Sequence, residues 1–147
     1  MESGSPTTVT GLICAGPNYA LTHLWASDST GQITIWYVPE YGLEFIPAYT
    51  VTAHKRSINS LVNTYRHAIT ISDDGFLKMF DLQTFALIRQ VDVLDWSIYK
   101  GLMSNIRTDI PRRLKCIHLK EDSTNGGVMV VGTNYGDVMV FSLGTTV

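Results

Sequence analysis

The stretch AITISDDGFLKMFD, residues 68–81, carries the decisive pattern. Apolar side chains alternate on both sides of Asp74-Gly75, and alternation at period two marks a strand with one preferred face. Asp-Gly between two such runs is a strong hairpin signal. The pattern then recurs. LWASDSTGQITIWY, residues 24–37, and MVVGTNYGDVMVFS, residues 129–142, align with it without gaps and superpose Gly31, Gly75 and Gly136. Two and four residues after each glycine stand Ile33 and Ile35, Leu77 and Met79, Val138 and Val140. Five residues after it stand Trp36, Phe80 and Phe141.

A unit of several strands built three times accounts for this periodicity. Gly31 and Gly75 are 44 residues apart, Gly75 and Gly136 61, so an insertion of 17 separates the last two units. Leu94–Ile110 fits it. The spacing predicts strands Val9–Ala15, Ala20–Ala26, Gln32–Val38 and Phe45–Val51 in repeat one (about 9–51). Repeat two (about 54–91) has Ile58–Asn63, Ala68–Ser72, Phe76–Asp81 and Phe85–Val91. Repeat three (about 114–143) has Leu114–Leu119, Val128–Thr133 and Asp137–Leu143. Gly16-Pro17-Asn18 and Asn125-Gly126 supply further turn chemistry.

With these residues in view, the chain resembles a run of WD-repeats, the units of the WD-repeat β-propeller, over about Val9–Leu143. The first glycine spacing lies within the range of about 40–45 residues per blade. Repeat two fits best, with His54 before its first strand, Ser72 and Asp74 about the turn, and Phe80-Asp81 where the family has Trp-Asp. Repeat one has Thr30 in the Asp position and Trp36-Tyr37; repeat three has Tyr135 and Phe141-Ser142. The resemblance implies an all-β, partial propeller of about three four-stranded antiparallel blades in one WD-repeat region, residues 1–147. The last blade lacks its outer strand. It also implies a structural network of His54, Ser72, Asp74 and Phe80, and a non-catalytic scaffold for protein–protein interaction. Partner peptides would dock on the face of the turns, which here carry Lys55, Ser57, Asp73, Ser29 and Asn134. An incomplete ring is expected to be the C-terminal part of a longer protein whose further blades complete it, or else to close by self-association, three blades against three.

Other classes fit less well. With 45% apolar and 16% charged residues, the chain is no disordered tail. A net charge of −2 argues against a charge-driven nucleic-acid partner. No apolar run is long enough to span a bilayer, and MESGSPTT lacks the basic and apolar regions of a secretion signal. Cys14 and Cys116 make neither a disulfide framework nor a zinc set, and His23, His67 and His118 have no second ligand at metal spacing. No metal or cofactor is expected, and the two cysteines are read as small buried hydrophobes on first strands. These features fit a cytoplasmic setting. His54, Ser72 and Asp74 are also the residue types of a hydrolase, but Ser72 sits on a strand, without the Gly-x-Ser-x-Gly elbow.

The insertion raises one further reading. Trp96, Tyr99, Met103, Ile106 and Ile110 recur at helical steps, with Asp95 as a cap and Pro111 as a stop. Lys100, Arg107, Arg112, Arg113 and Lys115 stand against Asp109 alone, whereas residues 1–53 hold four acids and no Lys or Arg. Trp96, Arg107, Arg112 and Arg113 are therefore candidates for binding an acidic protein, an anionic lipid headgroup or RNA, the alternative being that the apolar face packs over the sheets and the charges are solvated.

Overall fold

The computed structural model describes residues 6–42, 44–95, 111–122 and 126–143. The protein is all-β. The first sheet holds β1 (Val9–Ala15), β2 (His23–Asp28), β3 (Gln32–Tyr37) and β4 (Ile46–Thr52). The second holds β5 (Ile58–Asn63), β6 (His67–Ser72), β7 (Phe76–Asp81) and β8 (Leu87–Asp92). The third holds β9 (Leu114–Lys120), β10 (Val128–Thr133) and β11 (Val138–Ser142). All pairs are antiparallel and each sheet runs in chain order, giving separate sheets of four, four and three strands. No helix among the described residues is long and apolar enough to cross a membrane.

The aligned glycines do the same work in all three sheets. Gly31, Gly75 and Gly136 have φ of 95°, 88° and 84°, the left-handed region that disfavours a side chain. Each donates its N–H to the carbonyl three residues back, on Asp28, Ser72 and Thr133. The next equivalence is less visible in the sequence. The N–H two residues before each glycine (Ser29, Asp73, Asn134) donates to the residue just ahead of the first strand (Thr8, Ser57, Arg113). Two residues further on, each first strand carries one extra residue, Thr10, Asn59 or Lys115, in a β-bulge against the second strand. One backbone plan is therefore executed three times.

Several boundaries differ from the sequence reading. β2 begins at His23 rather than Ala20, because Pro17–Tyr19 forms a 3-10 turn with Asn18 at φ 58°. β8 begins at Leu87 rather than Phe85, whose φ of 67° closes the turn that Phe85 N–H makes to the Asp81 carbonyl. Val93–Asp95 is a 3-10 turn; the expected helix and its residues Trp96, Lys100 and Arg107 lie outside the described residues, as does Asn125.

The sheets pack face to face in chain order, with β1 against β5 and β5 against β9. Trp25, Ile33 and Ile35 of the first sheet bury against Ile58, Leu61, Ala68 and Phe80 of the second. The opposite face of the second sheet, with Ile69, Ile71 and Leu77, buries against Leu114, Met129, Val131 and Met139 of the third. β6 is therefore buried on both faces, which explains why its apolar residues Ala68, Ile69 and Ile71 fall on both sides of the strand and its two hydroxyls, Thr70 and Ser72, are buried with them. Phe85 reaches back to the first sheet, edge-on to Trp25 at 5.7 Å and stacked on Tyr49 at 5.8 Å.

Candidate functional site

The chemistry-bearing residues of repeat two meet at the turn between β6 and β7. His54, on the segment entering β5, is 2% exposed. Its Nδ1 lies 3.0 Å from Asp74 Oδ2 and its Nε2 lies 2.7 Å from Thr70 Oγ1. Asp74 also accepts the N–H of Lys55 at 3.0 Å and that of Phe76 at 2.9 Å. Lys78, paired with Thr70 across the β6–β7 ladder, donates from Nζ to the carbonyl of Ala53.

These contacts set the proton positions. Burial pushes the His54 imidazole below its ordinary value; Asp74 opposes this and Lys78 adds to it. Burial pushes the Asp74 carboxyl up, but the Phe76 N–H, the His54 ring and the Lys55 N–H outweigh burial and hold it below the usual carboxylate range. At neutral pH the pair is a neutral imidazole and a carboxylate. The carboxylate can only accept, so the single ring proton sits on Nδ1 and Nε2 accepts from the Thr70 hydroxyl.

The network differs from the expected set of His54, Ser72, Asp74 and Phe80. Thr70 provides the hydroxyl that contacts His54. Ser72 Oγ instead donates to the Arg56 carbonyl at 3.2 Å and accepts the Asp74 N–H at 3.1 Å. Phe80, 2% exposed, has no polar atom to contribute and belongs to the apolar core. The alternation gives the reason: Ala68, Thr70 and Ser72 share one face of β6, and Thr70 lies further from the turn, where the ring of His54 reaches in.

Ser72 has counterparts at the other turns. Asp28 Oδ1 accepts the N–H of Thr30 at 2.8 Å, and Thr133 Oγ1 accepts that of Tyr135 at 3.1 Å. The residue three before each glycine thus caps its own turn in every repeat. In repeat one Asp28 also takes the Thr30 hydroxyl and the Gln32 N–H. Repeat one therefore carries its acid three residues before the glycine, not one.

The residues expected to face partners largely bind one another. Asp73 accepts Asn59 Nδ2 at 2.7 Å, and Arg113 and Lys115 stand 3.7 and 3.6 Å from it. This pins the second sheet to the third, since Asn59 also donates to the Leu114 carbonyl. Arg112 lies over the Tyr135 ring at 4.3 Å and 3.7 Å from Asp137. Asn134 holds the Arg113 N–H and the Pro111 carbonyl, and Ser29 Oγ accepts the Thr8 N–H. The Ser57 carbonyl takes the Asp73 N–H. Lys55 is exposed, with its backbone N–H held by Asp74. Cys14 and Cys116 are exposed, not buried as expected, because each lies on a sheet face that no described residue covers.

Where the first strands converge there is an open hollow of about 370 Å³, lined by Ile13, Leu61–Asn63, Ile117–Leu119 and Glu121. Among the described residues no cluster of His, Cys, Asp and Glu could hold a metal ion.

A scan against protein-family models finds no match, and no curated protein matches the chain. Solved structures do. The computationally designed Ika4 protein superposes with a TM-score of 0.62 at 18% identity, over 92% of this chain and 66% of that one. The computationally designed Ika8 protein superposes with a TM-score of 0.62 at 19% identity, over 93% of this chain and 34% of that one. This chain thus spans just under two thirds of the one and about a third of the other. At these identities the likeness is one of fold alone.

Proposed function

We propose that the chain forms blades of a β-propeller of the WD-repeat kind and serves as a non-catalytic, cytoplasmic scaffold for protein–protein interaction. One observation carries the reading: the glycine turn and the first-strand bulge recur at matching positions in three sheets whose first strands lie side by side. A rigid array of that kind offers turns and edges for contact and spends its reactive groups internally. His54, Thr70 and Ser72 are all at or near full burial and their polar atoms are engaged with one another or with backbone. That suits bracing better than turnover. Two unpaired, exposed thiols fit a reducing compartment.

Cross-linking of the protein in cells that make it, followed by mass spectrometry, tests the reading. Protein partners linked near Lys55 are expected, and Lys55→Glu should weaken them while the unfolding curve stays in place. A hydrolytic activity abolished by Ser72→Ala, with stability intact, would overturn it. The lipid alternative, in which residues 100–115 recruit the chain to anionic membrane, is weakened by the pairing of Arg112, Arg113 and Lys115 with Asp137 and Asp73. Failure of the protein to sediment with phosphatidylserine vesicles at low salt would end it.

A further inference from the structure

The outer edges of the two four-stranded sheets are chemically unlike. β4 is the outermost strand of the first sheet and β8 of the second, and the far side of each pairs with no described strand. β4 lies in mid-chain, followed by β5 of the next sheet, so its open side is the ordinary outer edge of a four-stranded sheet. Such an edge invites a further strand unless charges guard it. β8 is guarded by Arg89 and Asp92, whereas β4, IPAYTVT, carries no charge. Past Pro47, which lacks an N–H, residues 48–52 remain open to pairing. Rings gather where β4 meets the β3–β4 hairpin, residues 38–45. Tyr41 is 87% exposed, Tyr37 50% and Tyr49 48%, with Phe45 and Ile46 exposed beside them. Tyr37 backs onto His23 at 4.9 Å and Tyr49 onto Phe85 at 5.8 Å, which steadies both rings. Single exposed apolar residues are ordinary, but a group of rings on one hairpin and edge is not. Glu40 and Glu44 stand in the same hairpin, exposed and paired with no described residue.

We propose that β4 takes an extended, arginine-bearing segment of a partner protein as an added strand, its guanidinium groups lying over the tyrosine rings and against Glu40 and Glu44. Main-chain hydrogen bonds supply the affinity, and the alternate side chains of the added strand select the partner. The cation follows from charge and from how the chain disposes its own arginines. Residues 1–53 carry four acids and no Lys or Arg. Arg66 lies over the Tyr65 ring at 5.3 Å and Arg112 over that of Tyr135 at 4.3 Å, whereas no described Lys or Arg lies over Tyr37, Tyr41, Phe45 or Tyr49. Arginine suits the site better than lysine, because a planar guanidinium stacks on a ring while its N–H groups reach a carboxylate. A second copy of the chain is a poor occupant, since the segment around its own β4 brings acids and no cation. The hairpin stands at the opposite end of β3 from the Gly31 turn, whose carbonyl meets His54 next to Lys55. The inference therefore rests on this edge and not on contacts near Lys55.

A short peptide of alternating arginine and threonine, titrated into the isotope-labelled full chain and followed by amide shifts, tests it. Shifts confined to residues 38–52 and a dissociation constant below about 1 mM are expected. Amides of residues 48–52 should exchange with solvent more slowly once the peptide is bound. The same peptide with its backbone amides methylated cannot add as a strand and should not bind; nor should the peptide with glutamate in place of arginine. Glu40→Lys combined with Glu44→Lys should weaken binding by about tenfold or more, and Tyr41→Ala by about threefold. All three side chains are exposed, so circular dichroism should stay unchanged. No binding, shifts centred on Lys55, equal binding of the methylated or glutamate peptide, or variants that bind as the parent does would each overturn the proposal. So would a second copy on β4, seen as concentration-dependent protection of residues 48–52 without peptide. Should a variant unfold, the methylated and glutamate peptides still decide on the unaltered protein. A negative result would leave the scaffold reading to its cross-links near Lys55.

Discussion

Asp74→Ala is the substitution that bears hardest on the bracing network. It removes the acceptor for three N–H groups: His54 Nδ1 at 3.0 Å, Lys55 N at 3.0 Å and Phe76 N at 2.9 Å. The Lys55 group is exposed and regains water, so its loss costs little. The Phe76 group is partly buried, at about 1 kcal/mol. His54 is buried and its ring proton has nowhere else to go, which costs about 2 kcal/mol. The sum is about 3 kcal/mol, a large fraction of a domain's stability. With a urea slope of about 1.5–2 kcal/mol/M, the midpoint should fall by about 1.5–2 M. Asp28→Ala is the control: Asp28 also accepts three hydrogen bonds, but all are exposed, so about 1 kcal/mol is expected there. Urea unfolding of both variants, followed by tryptophan fluorescence at pH 7.5, makes the comparison. Equal losses would refute the claim that burial of His54, rather than the count of hydrogen bonds, gives Asp74 its weight.

Three further outcomes follow from the same geometry. Thr70→Val and Ser72→Ala should each cost about 1–2 kcal/mol, but in double-mutant cycles only Thr70 should couple to His54→Ala, by about 1 kcal/mol. Stability should decline on acidification. Both His54 and Asp74 have folded values below their unfolded ones, so the unfolded chain binds the extra protons. Loss should begin as pH falls below about 6.5 through His54 and continue below about 4 through Asp74; midpoints measured from pH 8 to 4 should fall less steeply above about pH 5 in His54→Gln, the remaining slope coming from His23 and His67, which burial also holds below their ordinary value. Gly31→Ala should cost several-fold more than Gly136→Ala in thermal unfolding. Both have positive φ, but a Cβ on Gly31 would collide with the His54 carbonyl oxygen, whereas one on Gly136 meets nothing within 4 Å.

The sequence exposed most of the architecture because turn glycines and period-two alternation are local signals. β1, β5, β7 and β10 run between the expected residues. What it concealed needed a third dimension. The left-handed Asn18 and Phe85 move two strand starts, and neither residue type forces that conformation. The bulges at Thr10, Asn59 and Lys115 leave no local trace, since one extra residue changes only which partner it faces. Ser72 and Thr70 lie on one face two residues apart; only the reach of His54 from another segment tells them apart. The polar turn residues Asp73, Asn134 and Arg113 look available in a linear reading, yet each is already engaged within the chain: Asp73 accepts Asn59 and faces Arg113, and Asn134 exchanges bonds with the Arg113 backbone.

The central claim is that three separate sheets stand in chain order with their first strands adjacent. Methyl and backbone nuclear Overhauser effects test it most directly. Contacts of Ile13 with Leu61 and of Val62 with Ile117 are predicted, with no Hα–Hα contacts joining β4 to β5 or β8 to β9. Hα–Hα contacts across those two junctions, the signature of one continuous barrel, would contradict it.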